Sequence, residues 1–77
     1  MPAYQSDNTL LKLIRITLEE LGCRYISRNT TKYPTIEVHL SHKGRASTVS
    51  FNAKLDDGII CKRIKEEVQT QQLLGEI

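Results

Sequence analysis

Apolar residues recur along this chain with two different periods, and the switch between them divides it into elements. From Thr9 to Leu21, the residues Leu10, Ile14, Leu18 and Leu21 fall three or four apart, with Lys12, Arg15, Glu19 and Glu20 largely on the other side. That spacing predicts a helix that buries one stripe. Ser6, Asp7 and Asn8 are N-cap residue types just ahead of it, so residues 1–6 read as a flexible lead-in. Gly22 follows where a left-handed residue commonly closes a helix.

The period then drops to two. Cys23, Tyr25 and Ser27 alternate with Arg24, Ile26 and Arg28, which predicts a strand. If Cys23 and Tyr25 point inward, Arg24 and Arg28 share the other face with an exposed Ile26. Asn29 to Pro34 has loop chemistry. Thr35 to Ser41 is the clearest strand, with Ile36, Val38 and Leu40 against Thr35, Glu37, His39 and Ser41. His42-Lys43-Gly44 predicts a tight turn. Arg45 to Asn52 is a third strand, with Ser47, Val49 and Phe51 opposite Ala46, Thr48 and Ser50. Asp56-Asp57-Gly58 should cap a second helix, its carboxylates accepting from free backbone N–H groups. Ile60, Ile64 and Val68 form the inner stripe of that helix, and Lys62, Arg63, Lys65, Glu66 and Glu67 its outer face. Leu73, Leu74 and Ile77 close the chain, either as a docking or homodimer element or as a frayed tail over 74–77.

The resulting order is α-β-β-β-α, an α+β fold. Three consecutive short strands favour an antiparallel meander, with both helices packed on one face and the other face open. At 77 residues the chain is one domain. A domain of this size buries only about 60–65% of its unfolded surface, leaving little room for a deep catalytic cavity. No apolar run approaches the ~18 residues that span a bilayer. Met1 to Gln5 has neither a basic nor an apolar signal region, so a cytoplasmic protein with Cys23 and Cys61 reduced is expected.

Charge adds a functional clue. Between Leu21 and Lys54 stand Arg24, Arg28, Lys32, Lys43, Arg45 and Lys54 against one acid, Glu37, in a chain of formal net charge +2. A one-sided basic surface is the footprint of a polyanion partner, most commonly nucleic acid, or else a solvated basic face.

The helix ending Leu21-Gly22, the strand starting at Cys23-Arg24-Tyr25, two further strands joined by a short turn, and a second helix beginning near Ile59-Ile60 resemble the double-stranded-RNA-binding domain fold. They resemble more closely the small HicA-type toxins built on it. The likeness covers Leu10 to roughly Leu73. The Alu-binding subunits of the signal recognition particle share the element order and also bind RNA. The resemblance implies RNA as partner. HicA-type toxins place a catalytic His in a Gly-Ser-His segment before the second strand. Here that place reads Lys32-Tyr33-Pro34-Thr35, and the nearest histidine, His39, lies on the strand itself. Lys62, Arg63 and Lys65 partly match the lysine cluster with which double-stranded-RNA-binding domains grip phosphates, although Asp56-Asp57 lies just upstream. The family's Gly-Pro-x-His loop is missing.

Candidate chemistry is sparse. His39 and His42 with Glu37 are the one constellation suited to proton transfer, a His acting on a ribose 2′-OH with Lys43 or Arg45 stabilising the phosphorane; as an exposed strand residue and a turn residue they are equally ordinary surface histidines. Cys23, His39, His42 and Cys61 have poor spacing for zinc, and no Gly-rich phosphate loop exists, so no metal or cofactor is expected. Tyr33, beside Lys32, is the best base-stacking candidate. The expectation is a non-catalytic nucleic-acid-binding protein, RNA before DNA, using Arg24, Arg28, Lys32, Tyr33, Lys43, Arg45, Lys62, Arg63 and Lys65, with no membrane partner. The alternatives are a protein-binding inhibitor of phage or mobile-element type and a ribonuclease toxin working through His39 or His42.

Overall fold

Three strands and two helices assemble in the expected order. In the computed structural model, which describes residues 2–77 with side chains from Thr9 onward, they are α1 (Pro2–Glu20), β1 (Arg24–Lys32), β2 (Thr35–His42), β3 (Arg45–Asn52) and α2 (Asp57–Leu73). The strands form one antiparallel sheet in the order β1-β2-β3, so β1 and β3 are its two edges. Both helices lie on one face: α1 packs against β1 and α2, and α2 packs against β3.

The core forms where the two periodicities meet. Leu10, Ile14 and Leu18 from α1, Val38 and Leu40 from β2, Val49 and Phe51 from β3, and Ile60, Ile64 and Val68 from α2 are buried together with Cys23. Each comes from the apolar stripe or inward strand face that the sequence marks out. Burial of such side chains is worth about 1.5–3 kcal/mol apiece before conformational entropy is subtracted, and it dominates the stability of so small a domain.

Both helices end in the same motif. Gly22 has φ +75°, its N–H donates to Glu19 O at 3.0 Å, and Cys23 N–H donates to Leu18 O at 2.8 Å. Gly75 has φ +76°, its N–H donates to Gln72 O at 3.2 Å, and Glu76 N–H donates to Gln71 O at 2.9 Å. These are paired Schellman closures, in which a residue without a Cβ takes the left-handed conformation and satisfies carbonyls the helix leaves free. Gln72 Nε2 donates to Leu21 O at 2.9 Å. The C-termini of α1 and α2 therefore lie at the same end of the molecule.

Several boundaries differ from the sequence reading. Helix α1 begins at Pro2 rather than after Asn8. Proline suits the first helical position because its missing N–H has no partner to lose there. Met1 and the side chains of residues 1–8 lie outside the described residues, and the flexibility expected of 1–6 falls there. Strand β1 runs on to Lys32, so Asn29 to Lys32 is not loop. Asn29 pairs with Glu37, Thr30 with Ile36 and Lys32 with Thr35, and ladder bonds to β2 override weak local turn signals. Only Tyr33-Pro34 forms the turn. In the 74–77 segment the Schellman closure supplies the backbone bonds, Leu74 to Glu76 are exposed, and Ile77 packs against the core. Helix α2 starts as expected, with Asp56 at the N-cap accepting from Gly58 N–H at 3.2 Å.

Candidate nucleic-acid interface

A bulge in β1 decides where the basic residues go. Arg24 pairs with Ser41, Tyr25 with Leu40, Ser27 with His39 and Arg28 with Val38, so Ile26 is an extra residue in an otherwise regular ladder. An extra residue reverses the alternation beyond it. Arg24 therefore stands level with Ser41 on the open face, as expected. Arg28 is carried to the helix-side face, level with Val38, where it is half-buried. This corrects the expectation that the two arginines share one face. Ile26 is 53% exposed, in line with the sequence reading.

The part of the open face built by β2 and β3 is polar, with Glu37 as its one carboxylate, and β1 adds Arg24 and Lys32 at its two ends. β2 contributes Glu37, His39 and Ser41, and β3 contributes Ala46, Thr48 and Ser50. His39 Nδ1 lies 3.3 Å from Thr48 Oγ1, and His39 Nε2 lies 3.9 Å from Glu37 Oε1. A shallow hollow of about 310 Å³ beside His39 is lined by Ile26, Ser27, Leu40, Ala46, Ser47 and Thr48, none of them charged. His42 falls on the opposite face of β2, and its ring packs towards Gly22, where a Cβ would come within 3.8 Å of Nε2. Its Nδ1 is buried without a hydrogen-bond partner. The His39, His42 and Glu37 set is thus split by strand alternation, and no basic side chain stands at the hollow to stabilise a phosphorane.

Basic residues gather instead along the β1 edge. The Arg15 guanidinium lies over the Tyr25 ring, 4.8 Å from its centroid, a cation–π geometry that holds the arginine in place. Arg15, Glu19, Cys23, Arg24 and Tyr25 line a cleft of about 250 Å³ between α1 and β1. Arg28 and Lys32 continue along the same strand. Arg15 was assigned from sequence to the outer side of α1. Its partner Tyr25 lies on a different element, ten residues on, so only the α1–β1 packing reveals the pair.

The remaining candidates separate. Lys43, with φ +52°, and Gly44, with φ +81°, form a two-residue hairpin turn at the same end as Arg24. Arg45 Nη1 donates to Gly75 O at 2.8 Å. That bond, near the negative end of the α2 dipole, makes Arg45 a closing contact for the helix. Lys32 and 67%-exposed Tyr33 sit at the opposite end of the hairpin, roughly 25 Å along β1 from Arg24. Lys62, Arg63 and Lys65 are exposed on α2, and Arg63 flanks Ser50 together with Glu66 and Glu67. Acids interleave with bases there, and the α2 cluster is not continuous with the β1 edge.

Both cysteines are free thiols. Cys23 is buried, and that desolvation raises its pKa. Among the described residues, no three His, Cys, Asp or Glu side chains converge as metal ligands. No described helix is long and apolar enough to cross a membrane. No family model, no curated protein and no solved structure matches the chain.

Proposed function

We propose that this protein is a non-catalytic nucleic-acid-binding domain, taking RNA before DNA, and that it grips phosphates along the β1 edge. The observation that carries this reading is the cleft at the start of β1, where Arg15 and Arg24 flank Tyr25 with Glu19 as the one acid lining it, while Arg28 on the helix-side face and Lys32 at the far end add positive charge to the same edge strand. Lys43 extends this charge around the hairpin end. Arg45, Lys62, Arg63 and Lys65 contribute less, being tied to a helix terminus or interleaved with acids. Resemblance to HicA-type toxins and double-stranded-RNA-binding domains supports RNA, and a cytoplasmic location with reduced thiols accords with it. The separation of His39 from His42 supports binding over cleavage.

Each phosphate that these side chains neutralise releases condensed counterions, so affinity should fall steeply with salt. Titration against single-stranded RNA, double-stranded RNA and duplex DNA at about 50 and 200 mM salt tests this. Micromolar or tighter binding that weakens sharply with salt is expected. Absent or salt-insensitive binding overturns the reading. A second reading, a protein-binding module, is favoured by Leu73 and Leu74, which are 88% and 69% exposed. It predicts retention of a specific protein with no nucleic-acid shift.

A further inference from the structure

The β3 edge is built unlike the β1 edge. From Ala46 to Ala53 it reads Ala-Ser-Thr-Val-Ser-Phe-Asn-Ala, with no charge and no proline, and it pairs with β2 from Arg45 to Asn52 without a register shift. Proteins normally blunt such an edge with charge, proline or a bulge, because its unpaired backbone groups invite another strand. The two-residue turn makes His42 and Arg45 a hydrogen-bonded pair, so alternate residues outward from it bond to β2. Ala46, Thr48 and Ser50 then direct their N–H and C=O groups to the free edge. Among the described residues, no backbone bond outside the ladder uses them.

We infer that the β3 edge pairs with the β3 edge of a second copy of this chain, antiparallel about a two-fold axis at Ser50, giving a continuous six-stranded sheet. Three observations converge on that axis. Ser50 would face Ser50, and Thr48 would face Asn52 of the other copy, whose N–H points outward while its C=O already accepts from Leu55 N–H at 3.1 Å, so the free backbone groups centre on Ser50 and Thr48. On the helix side, Val49 of each copy would stand level with Phe51 of the other, and both are already buried in their own chain, so the register leaves no polar side chain facing the core at the seam.

The third observation is electrostatic. α2 runs antiparallel to β3, since Ser47 contacts Gln71 and Arg45 contacts Gly75. Three strand residues span about 10 Å, or six to seven residues of helix, so Ser50 is level with Ile64 and Lys65. The hollow that Ser50 lines with Arg63, Glu66 and Glu67 agrees. A two-fold axis at that level sets Arg63 of one copy against Glu67 of the other, twice. Among the described residues, neither side chain forms an ion pair within its own chain. An axis shifted to Val49 would instead bring Glu66 and Glu67 of the two copies together. The same operation at β1 would oppose arginines and two bulges, so this edge alone suits self-pairing.

Sedimentation of the full chain from micromolar to near-millimolar concentration tests the proposal. The wild type should reach a dimer, and Ser50→Lys, which sets two lysines face to face, should stay monomeric with an unchanged circular dichroism spectrum. Arg63→Glu should weaken the dimer, and Arg63→Glu combined with Glu67→Arg should restore it. Antiparallel hydrogen-bonded partners stand about 5.5 Å apart at Cα, within disulfide reach. Ser50→Cys in a Cys61→Ser background should therefore cross-link under mild oxidation, and Ala46→Cys in that background should not. A wild type that remains monomeric overturns the inference. So does a dimer that survives Ser50→Lys, or one in which position 46 cross-links as readily as position 50.

Discussion

The two edge strands of this sheet share a partner in β2 yet meet the surrounding water in opposite ways. β1 carries Arg24, Arg28 and Lys32 and two register shifts, near Ile26 and Thr31. β3 is uncharged from Ala46 to Asn52 and regular. Charge and bulges prevent strand addition and leave β1 presenting guanidinium and ammonium groups, which suit a phosphate backbone. A regular neutral strand leaves β3 presenting backbone donors and acceptors. The difference teaches that one small sheet can give its two edges two kinds of recognition without a cavity. The buried contribution is also uneven: β3 places Val49 and Phe51 in the core, while β1 itself places no fully buried side chain there.

That contrast yields tests of graded size. The largest effect should come from the core side of β3. Phe51→Ala should cost about 3–5 kcal/mol of stability, enough to unfold much of a domain this small, while Thr30→Ala on β1 should stay within about 0.5 kcal/mol. Urea denaturation of both variants checks this, and equal costs would erase the asymmetry. Next, Arg24→Glu with Arg28→Glu should weaken RNA binding and lower the salt slope by about two, because two phosphate contacts are lost. Ser50→Lys should leave that slope unchanged.

Smaller effects concern the end where β1 begins. Gly22→Ala forces a side chain into the left-handed region that launches β1, costing about 1–2 kcal/mol, readable as a lowered melting temperature. Cys23 should react with a thiol reagent more slowly than half-buried Cys61 at neutral pH, since a raised pKa leaves less thiolate. Smallest of all, Ile26→Thr at the exposed bulge should change stability by no more than about 0.5 kcal/mol.

Legibility in the sequence followed the range of the interactions involved. The stripes Leu10-Ile14-Leu18 and Ile60-Ile64-Val68 and the alternation through β2 and β3 are local periodicities, and each element they predicted is present, as are the open face and the Asp56 cap. The bulge at Ile26 was not legible. Cys23 to Arg28 alternates perfectly on paper, and only the pairing with β2 shows that Arg28 stands across from Val38. The extension of β1 through Thr30-Thr31 failed for a related reason, since the ladder outweighs loop-forming composition. The candidate site suffered most, because charge counting along a chain ignores faces. It grouped Arg24 with Arg28, His39 with His42, and α2 with the strands, and the fold separates each pair. Arg15, spent on a solvent face by helical spacing, turns out to stack on Tyr25.

The account stands most directly on where RNA touches the sheet. Amide chemical-shift mapping of the ¹⁵N-labelled protein titrated with a short RNA reads both edges at once. Perturbations are predicted from Arg24 to Lys32 and around Arg15, fading when salt is raised, with Thr48 to Asn52 unmoved. Perturbations centred on α2 or on β3, or none at any salt concentration, would contradict it.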